Sequence, residues 1–147
     1  MKKLLIVLAC GISLMANDII IKESSCSVTK TIQNIKTILG KKGLRVFKVV
    51  NHQKNAKSVN MKMRESKLIV FGNPKLGTSL MKKDMTVGLD LPMKILVYKD
   101  KDEKVRMAYR NGTWLAGVHA LSIPAREKKI NGAMDKITTK AGTCTQG

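Results

Sequence analysis

The clearest periodicity in the chain is Val28, Ile32, Ile35 and Leu39, at spacings of four, three and four. That spacing puts all four on one stripe of a helix, facing a core. Ser24, Ser25 and Ser27 offer N-caps, while Lys41, Lys42 and Gly43 close the helix with cations and a glycine terminator. Asp18–Lys22, rich in β-branched residues, predicts a first strand before it, and Leu44–Val50 predicts a second just after it. A compact β-α-β opening is therefore expected. Asn51–Asn55 reads as a loop, and Ala56–Met63 as polar and weakly helical.

The apolar quartet Leu68–Phe71 stops at Gly72-Asn73-Pro74, which predicts a buried third strand ending in a tight turn. Thr78 is placed to cap a short helix over Ser79–Lys83. Met93–Tyr98 and Val105–Tyr109 flank the charged turn Lys99–Lys104, a hairpin of strands four and five. Thr113–Leu121 reads as a short helix carrying Trp114 and His119, and Pro124 opens a last helix with Ile130, Met134 and Ile137 on one face. The pattern is α+β, an antiparallel-rich sheet with helices on one face. Should the other face be apolar, a homodimer through the sheet would cover it.

The first residues change the picture of where this domain works. Met1-Lys2-Lys3, the apolar run Leu4–Leu8 and Met15-Ala16-Asn17 form a secretory signal peptide, with cleavage expected after Ala16. Residues 1–16 are thus a signal and 17–147 a single domain, periplasmic or secreted. Lipid attachment at Cys10 would leave an apolar region of only about six residues, short for such a signal, and is the lesser reading. The formal charge is +18. Export and scattered lysines argue against nucleic acid as the partner and leave a solvated surface, with at most weak attraction to anionic lipid. Cys26 and Cys144 remain after cleavage. They either form one disulfide tying the tail to the first helix or stand as two free thiols.

Candidate chemistry is sparse. Gly72–Thr78 superficially resembles a phosphate-binding loop, but no lysine follows the second glycine and Pro74 interrupts it. What is left is an anion held by backbone donors at Gly77 and Thr78 with Lys75. Asp90 is a lone acid among Leu89, Leu91 and Pro92, so its charge must find donors. His52 and His119 are the only histidines, and either is expected to pair with Asp90 only through the fold. Neither has zinc-ligand spacing, and no Ser-His-Asp signature is present. Met61 and Met63 suggest soft-metal binding, yet the methionines more simply fill a core poor in aromatics.

Phe71-Gly72-Asn73-Pro74-Lys75-Leu76-Gly77-Thr78-Ser79-Leu80-Met81 and Val87-Gly88-Leu89-Asp90-Leu91-Pro92-Met93-Lys94-Ile95-Leu96-Val97 closely resemble the domain of unknown function family 302. Weaker echoes fall at Asn51-His52 through Ala56, Tyr109 and His119. The resemblance implies a TATA-binding-protein-like β-α-β(4)-α arrangement, often dimeric, with no established activity. It also implies that His52, Asn73 and Lys75 form one cluster.

The functional expectation is an exported binding or accessory domain that is not an enzyme. Its pocket, at the Gly72–Thr78 loop with His52, Asp90 and His119, would take a small anionic or polar ligand. One alternative is a hydrolase- or isomerase-like enzyme using a His/Asp acid–base pair. Another is a periplasmic metal or haem carrier. No cofactor is firmly implied.

Overall fold

The structure, a computed structural model, describes residues 18–145. The expected signal peptide, with Cys10 and the cleavage position, lies outside the described residues. The strands are β1 (Ile20–Ser24), β2 (Arg45–Asn51), β3 (Ser66–Gly72), β4 (Met93–Lys99) and β5 (Val105–Tyr109), and the helices α1 (Val28–Lys41), α2 (His52–Ser58), α3 (Pro74–Met81), α4 (Gly112–Val118) and α5 (Pro124–Ala141). The strands form one sheet in the order β1-β5-β4-β3-β2, with every neighbouring pair antiparallel. The α+β expectation and the strand count after the first helix both hold.

The four periodic residues of α1 are all buried, and they meet Ile130, Met134 and Ile137 of α5 over one face of the sheet. Strand alternation supplies the other half of this core: Ile69 and Phe71, Ile95 and Val97, Val105, Met107 and Tyr109. Each of these large side chains contributes roughly 1.5–3 kcal/mol by leaving water. The intervening residues, Leu68 and Val70 in β3 and Lys94, Leu96 and Tyr98 in β4, face the opposite side and stay half-exposed. A smaller apolar cluster of Leu80, Val87, Leu115, Ala116 and Ile123 joins α3, a 3-10 turn at Met85–Leu89, and α4.

Several boundaries differ from those read along the chain. β1 begins at Ile20 and runs to Ser24, because its register with β5 pairs Ser24 with Val105. α1 does not bring β1 beside β2, since the two strands are opposite edges of the sheet. Asn51 ends β2 and caps α2, its Oδ1 accepting from Lys54 N at 2.9 Å, so helix occupies the stretch expected as a loop. Likewise Asn73, and not Thr78, caps α3: its Oδ1 accepts from Lys75 N (3.0 Å) and Leu76 N (3.3 Å), and Pro74 suits the first turn. Of the two readings of the cysteines, the structure takes the disulfide, Cys26–Cys144, with Cα atoms 5.3 Å apart.

Candidate functional site

Two hollows, each about 260 Å³, flank the segment Leu91-Pro92-Met93, where the Leu91–Pro92 peptide is cis. The first lies on the face of the sheet opposite α1 and α5. Ile95 pairs with Tyr109 and Leu96 with Ala108, so the register continued by one residue sets Lys94 opposite Arg110 at its mouth. Arg110 Cζ stands 4.4 Å from the centre of the Trp114 ring, and Leu68, Met93 and Leu96 give the hollow an apolar floor. Lys94 Nζ donates to the carbonyls of Asp90 (3.0 Å) and Pro92 (3.1 Å). Burial holds the Lys94 pKa below its usual 10.5, and the charge of Arg110 adds to this while Asp90 opposes it.

Trp114 is placed by the way α4 meets α5. Asn111 caps α4 by accepting from Trp114 N at 3.0 Å, and Asn131 Oδ1 of α5 accepts from Gly112 N at 2.7 Å. A Cβ at Gly112 would lie 2.9 Å from Glu127 O and 3.0 Å from Ile130 Cβ, so only glycine lets the helices come this close.

At the far end of α4, His119 Nε2 lies 2.7 Å from Asp90 Oδ2. A carboxylate only accepts, so Nε2 donates in this contact. His119 Nδ1 lies 3.2 Å from Thr86 Oγ1, whose hydroxyl donates to Asp84 Oδ1 at 2.7 Å. The hydroxyl and backbone N–H of Thr86 hold the Asp84 pKa below the usual carboxylate value. The His119 side chain is only 7% exposed, while Asp90 lines the hollow. A ligand there would meet the carboxylate, with the imidazole orienting it from behind. Asp90 and His119, expected to meet only through the fold, do meet.

The second hollow is the one beside Gly72–Thr78, and it is not an anion cradle. Asn73 Oδ1 is spent on the cap, Gly77 N donates to Asn73 O at 2.9 Å, and Thr78 sits inside α3. Leu76, Leu80, Met81 and Leu91 make this cleft apolar. Lys75 is exposed and borders neither hollow. The expected loop site is thereby corrected: the donors attributed to Gly77 and Thr78 are inside a helix that starts five residues earlier than foreseen.

His52 does not join the cluster either. β2 pairs Arg45 with Gly72 and Asn51 with Lys67, so His52 lies at the opposite end of β3 from Asn73. Six residues of strand, at about 3.3 Å each, separate the two ends. Met61 and Met63 are exposed after α2, and no group of three or more His, Cys, Asp or Glu gathers as for a metal among the described residues. Lys94, Arg110, Asn111 and Trp114 were missed. The period-2 alternation of Lys94 with Leu96 and of Ala108 with Arg110 was the available signal, because it sets each pair on the face away from the core.

Fold and hollow together define an α+β domain with a cation-edged pocket on an open sheet face. The chain belongs to the family described as "Domain of unknown function DUF302", which it matches over residues 20–137. A solved structure of an uncharacterised conserved DUF302 protein from Bacillus stearothermophilus shares the fold, with a TM-score of 0.69 and 19% identity, over 86% of this chain and 97% of that one. The chain is also 33% identical over 134 residues to "Fluoride-specific ion channel FluC 1" of Brucella suis biovar 1 (strain 1330), covering 91% of this chain and 51% of that protein. "Fluoride-specific ion channel FluC 2" of Brucella melitensis biotype 1 matches at 33% over 134 residues, 91% of this chain and 48% of its own. This chain spans about half the length of these curated relatives.

Proposed function

We propose that this chain is an exported, non-enzymatic binding or accessory domain, and that its ligand is a small carboxylate or similar anion with an apolar part. The observation that carries this is the pairing of Lys94 and Arg110 across β4 and β5 at the edge of an apolar-floored hollow. An ammonium already short of water gains most from an incoming anion. Asp90 supplies an acceptor for a polar hydrogen on the same ligand, and Trp114 and Leu96 cover its apolar part. Export rests on the pattern of residues 1–16, and a disulfide suits an oxidising compartment. The curated relatives, named as fluoride-specific ion channels, favour an accessory role beside a membrane protein. Among the described residues no helix is long and apolar enough to cross a membrane, so a spanning part would have to be supplied by another segment or chain. A homodimer through the part of the open sheet face beside the hollow, where Val70 stays half-exposed, belongs to the same proposal.

Titration with benzoate, and separately with fluoride, followed by amide chemical shifts, tests the site. Shifts are expected at Lys94, Arg110 and Trp114 with benzoate, and Lys94→Met should weaken binding by roughly ten- to a hundred-fold. Binding should also weaken as pH rises through the lowered Lys94 pKa, below 10.5, while Arg110 keeps its charge. Shifts confined to the Gly72–Thr78 cleft would refute the assignment. Fluoride displacing benzoate would redirect it to the smaller anion. A second reading, an enzyme with Asp90 as base, is favoured only by the 2.7 Å contact to His119. It requires that Asp90→Asn abolish turnover of a bound compound without abolishing its binding.

A further inference from the structure

Between Ser24 and Arg64 the chain carries ten lysines and arginines and no acidic residue. All ten are exposed. This run comprises α1, β2, α2 and the start of the loop after it, and six of the ten, Arg45, Lys48, Lys54, Lys57, Lys62 and Arg64, lie on the edge strand β2 and the segment that follows it. Among the described residues only Arg64 of the ten has a carboxylate in ion-pair range, Glu103 at 3.3 Å.

At one end of that edge the chain leaves α2 through Asn60, which has φ 59 and so adopts the left-handed conformation that turns a chain sharply. The turn is fastened: Met61 N donates to Ala56 O at 2.9 Å, and Gln53 Nε2 to Met63 O at 3.3 Å. It leaves Val59, Met61 and Met63 exposed by 63, 64 and 45%, interleaved with Lys57, Lys62 and Arg64. Adjacent exposed apolar side chains on a secured turn mark an interaction surface. Flexible apolar side chains beside lysines suit the headgroup layer of a bilayer, where cations meet phosphates and apolar tips enter the acyl boundary. Single-stranded nucleic acid would call instead for aromatic stacking platforms. None lies in this turn.

We propose that α2 and the turn Val59–Arg64 dock this protein on an anionic phospholipid surface. This stands on the patch and not on the ligand proposed for the Lys94 hollow, and the two fail separately. All the elements lie within Ile20–Ala141, so the chain beginning at Asn17 keeps them and lacks the apolar run of residues 4–8, which would itself bind lipid. The test is flotation of this chain with vesicles of phosphatidylglycerol and phosphatidylcholine, against phosphatidylcholine alone.

Binding is expected only with the anionic lipid. Each lysine near a charged surface is worth about five-fold in partition. Replacing Lys54, Lys57 and Lys62 by Gln should therefore lower binding by about a hundred-fold. The same number of replacements on α5, at Lys128, Lys129 and Lys136, should change it by less than about three-fold. Met61→Ser with Met63→Ser, at constant charge, should cost several-fold. The substituted side chains are exposed, and unchanged circular dichroism confirms that the fold is kept. Equal losses in the two lysine variants, equal binding to phosphatidylcholine alone, an unaffected methionine variant, or tighter binding to single-stranded DNA than to vesicles would each overturn the proposal.

Discussion

The two edges of the sheet solve the same problem in opposite ways. An edge strand exposes unpaired N–H and C=O groups and invites another chain to pair with it. At the β1 edge the answer is a tie just past the end of the strand. Ser25 N donates to Gly142 O and Cys144 N to Ser25 Oγ, both at 2.8 Å, and Cys26–Cys144 bonds the tail to the start of α1. Cations there have partners: Lys22 with Asp135 at 2.5 Å, and Arg106 with Glu23 and Asp100, each at 2.9 Å. At the β2 edge the answer is charge and irregularity. Lysines and arginines line it almost without acids, and the register of β2 shifts between Val46 and Lys48. The tie at β1 is structural, whereas the unspent charge beyond β2 is what the proposed lipid docking draws on.

This contrast is broken most severely by cutting the tie beyond β1. The disulfide spans 118 residues, and replacing both cysteines by serine should lower stability by about 3–5 kcal/mol in urea melts. A loss under about 1 kcal/mol would mean that the hydrogen bonds hold the tail unaided. Next comes Gly142→Ala. The new Cβ would stand 2.5 Å from Met107 Cε and 3.2 Å from Glu23 O, so the methionine must move inside a packed core. A loss of about 1–3 kcal/mol is expected, and an unchanged urea midpoint would mean that Met107 yields freely.

The smallest effect concerns pH. The side-chain hydrogen bond from Arg106 holds the Asp100 pKa below its ordinary 3.8, helped by the backbone N–H groups of Lys104 and Asp102. A carboxylate lowered in the folded state stabilises above 3.8 and loses that contribution as pH falls through its lowered value. Arg106→Gln should therefore lower the urea midpoint slightly at neutral pH and flatten its fall below about pH 4, so that the two proteins converge in acid. An acid limb unaltered by the substitution would show that the pair contributes nothing there.

Much of the local architecture was readable along the chain. The spacing of Val28, Ile32, Ile35 and Leu39 determined α1 and its buried stripe, and the charged turn Lys99–Lys104 between apolar runs determined the hairpin of β4 and β5. These features need only neighbours within a few residues, where periodicity and turn chemistry act. The family was readable for another reason, since its residues from Phe71 to Val97 form two long uninterrupted motifs. Helix starts were less so: Thr78 competes with Asn73 as a cap, and Asn51 opens a helix in a stretch that reads as a loop, so each start depends on where the preceding strand must stop.

The site was another matter. Grouping His52 with Asn73 and Lys75 required β2 to end near the start of α3, and the antiparallel register sends it the other way. Asp90 and His119 meet across 29 residues, and Lys94 and Arg110 face each other across a hairpin. Sequence by itself determined α1, α4, α5, the five strands to within about two residues, the sign of the charge and the absence of acids between Ser24 and Arg64. Only the tertiary structure decided which strands became edges and which polar side chains shared a hollow. The physical reason is that strand order and register are chosen by burial over the whole sheet, a sum no short stretch of chain contains.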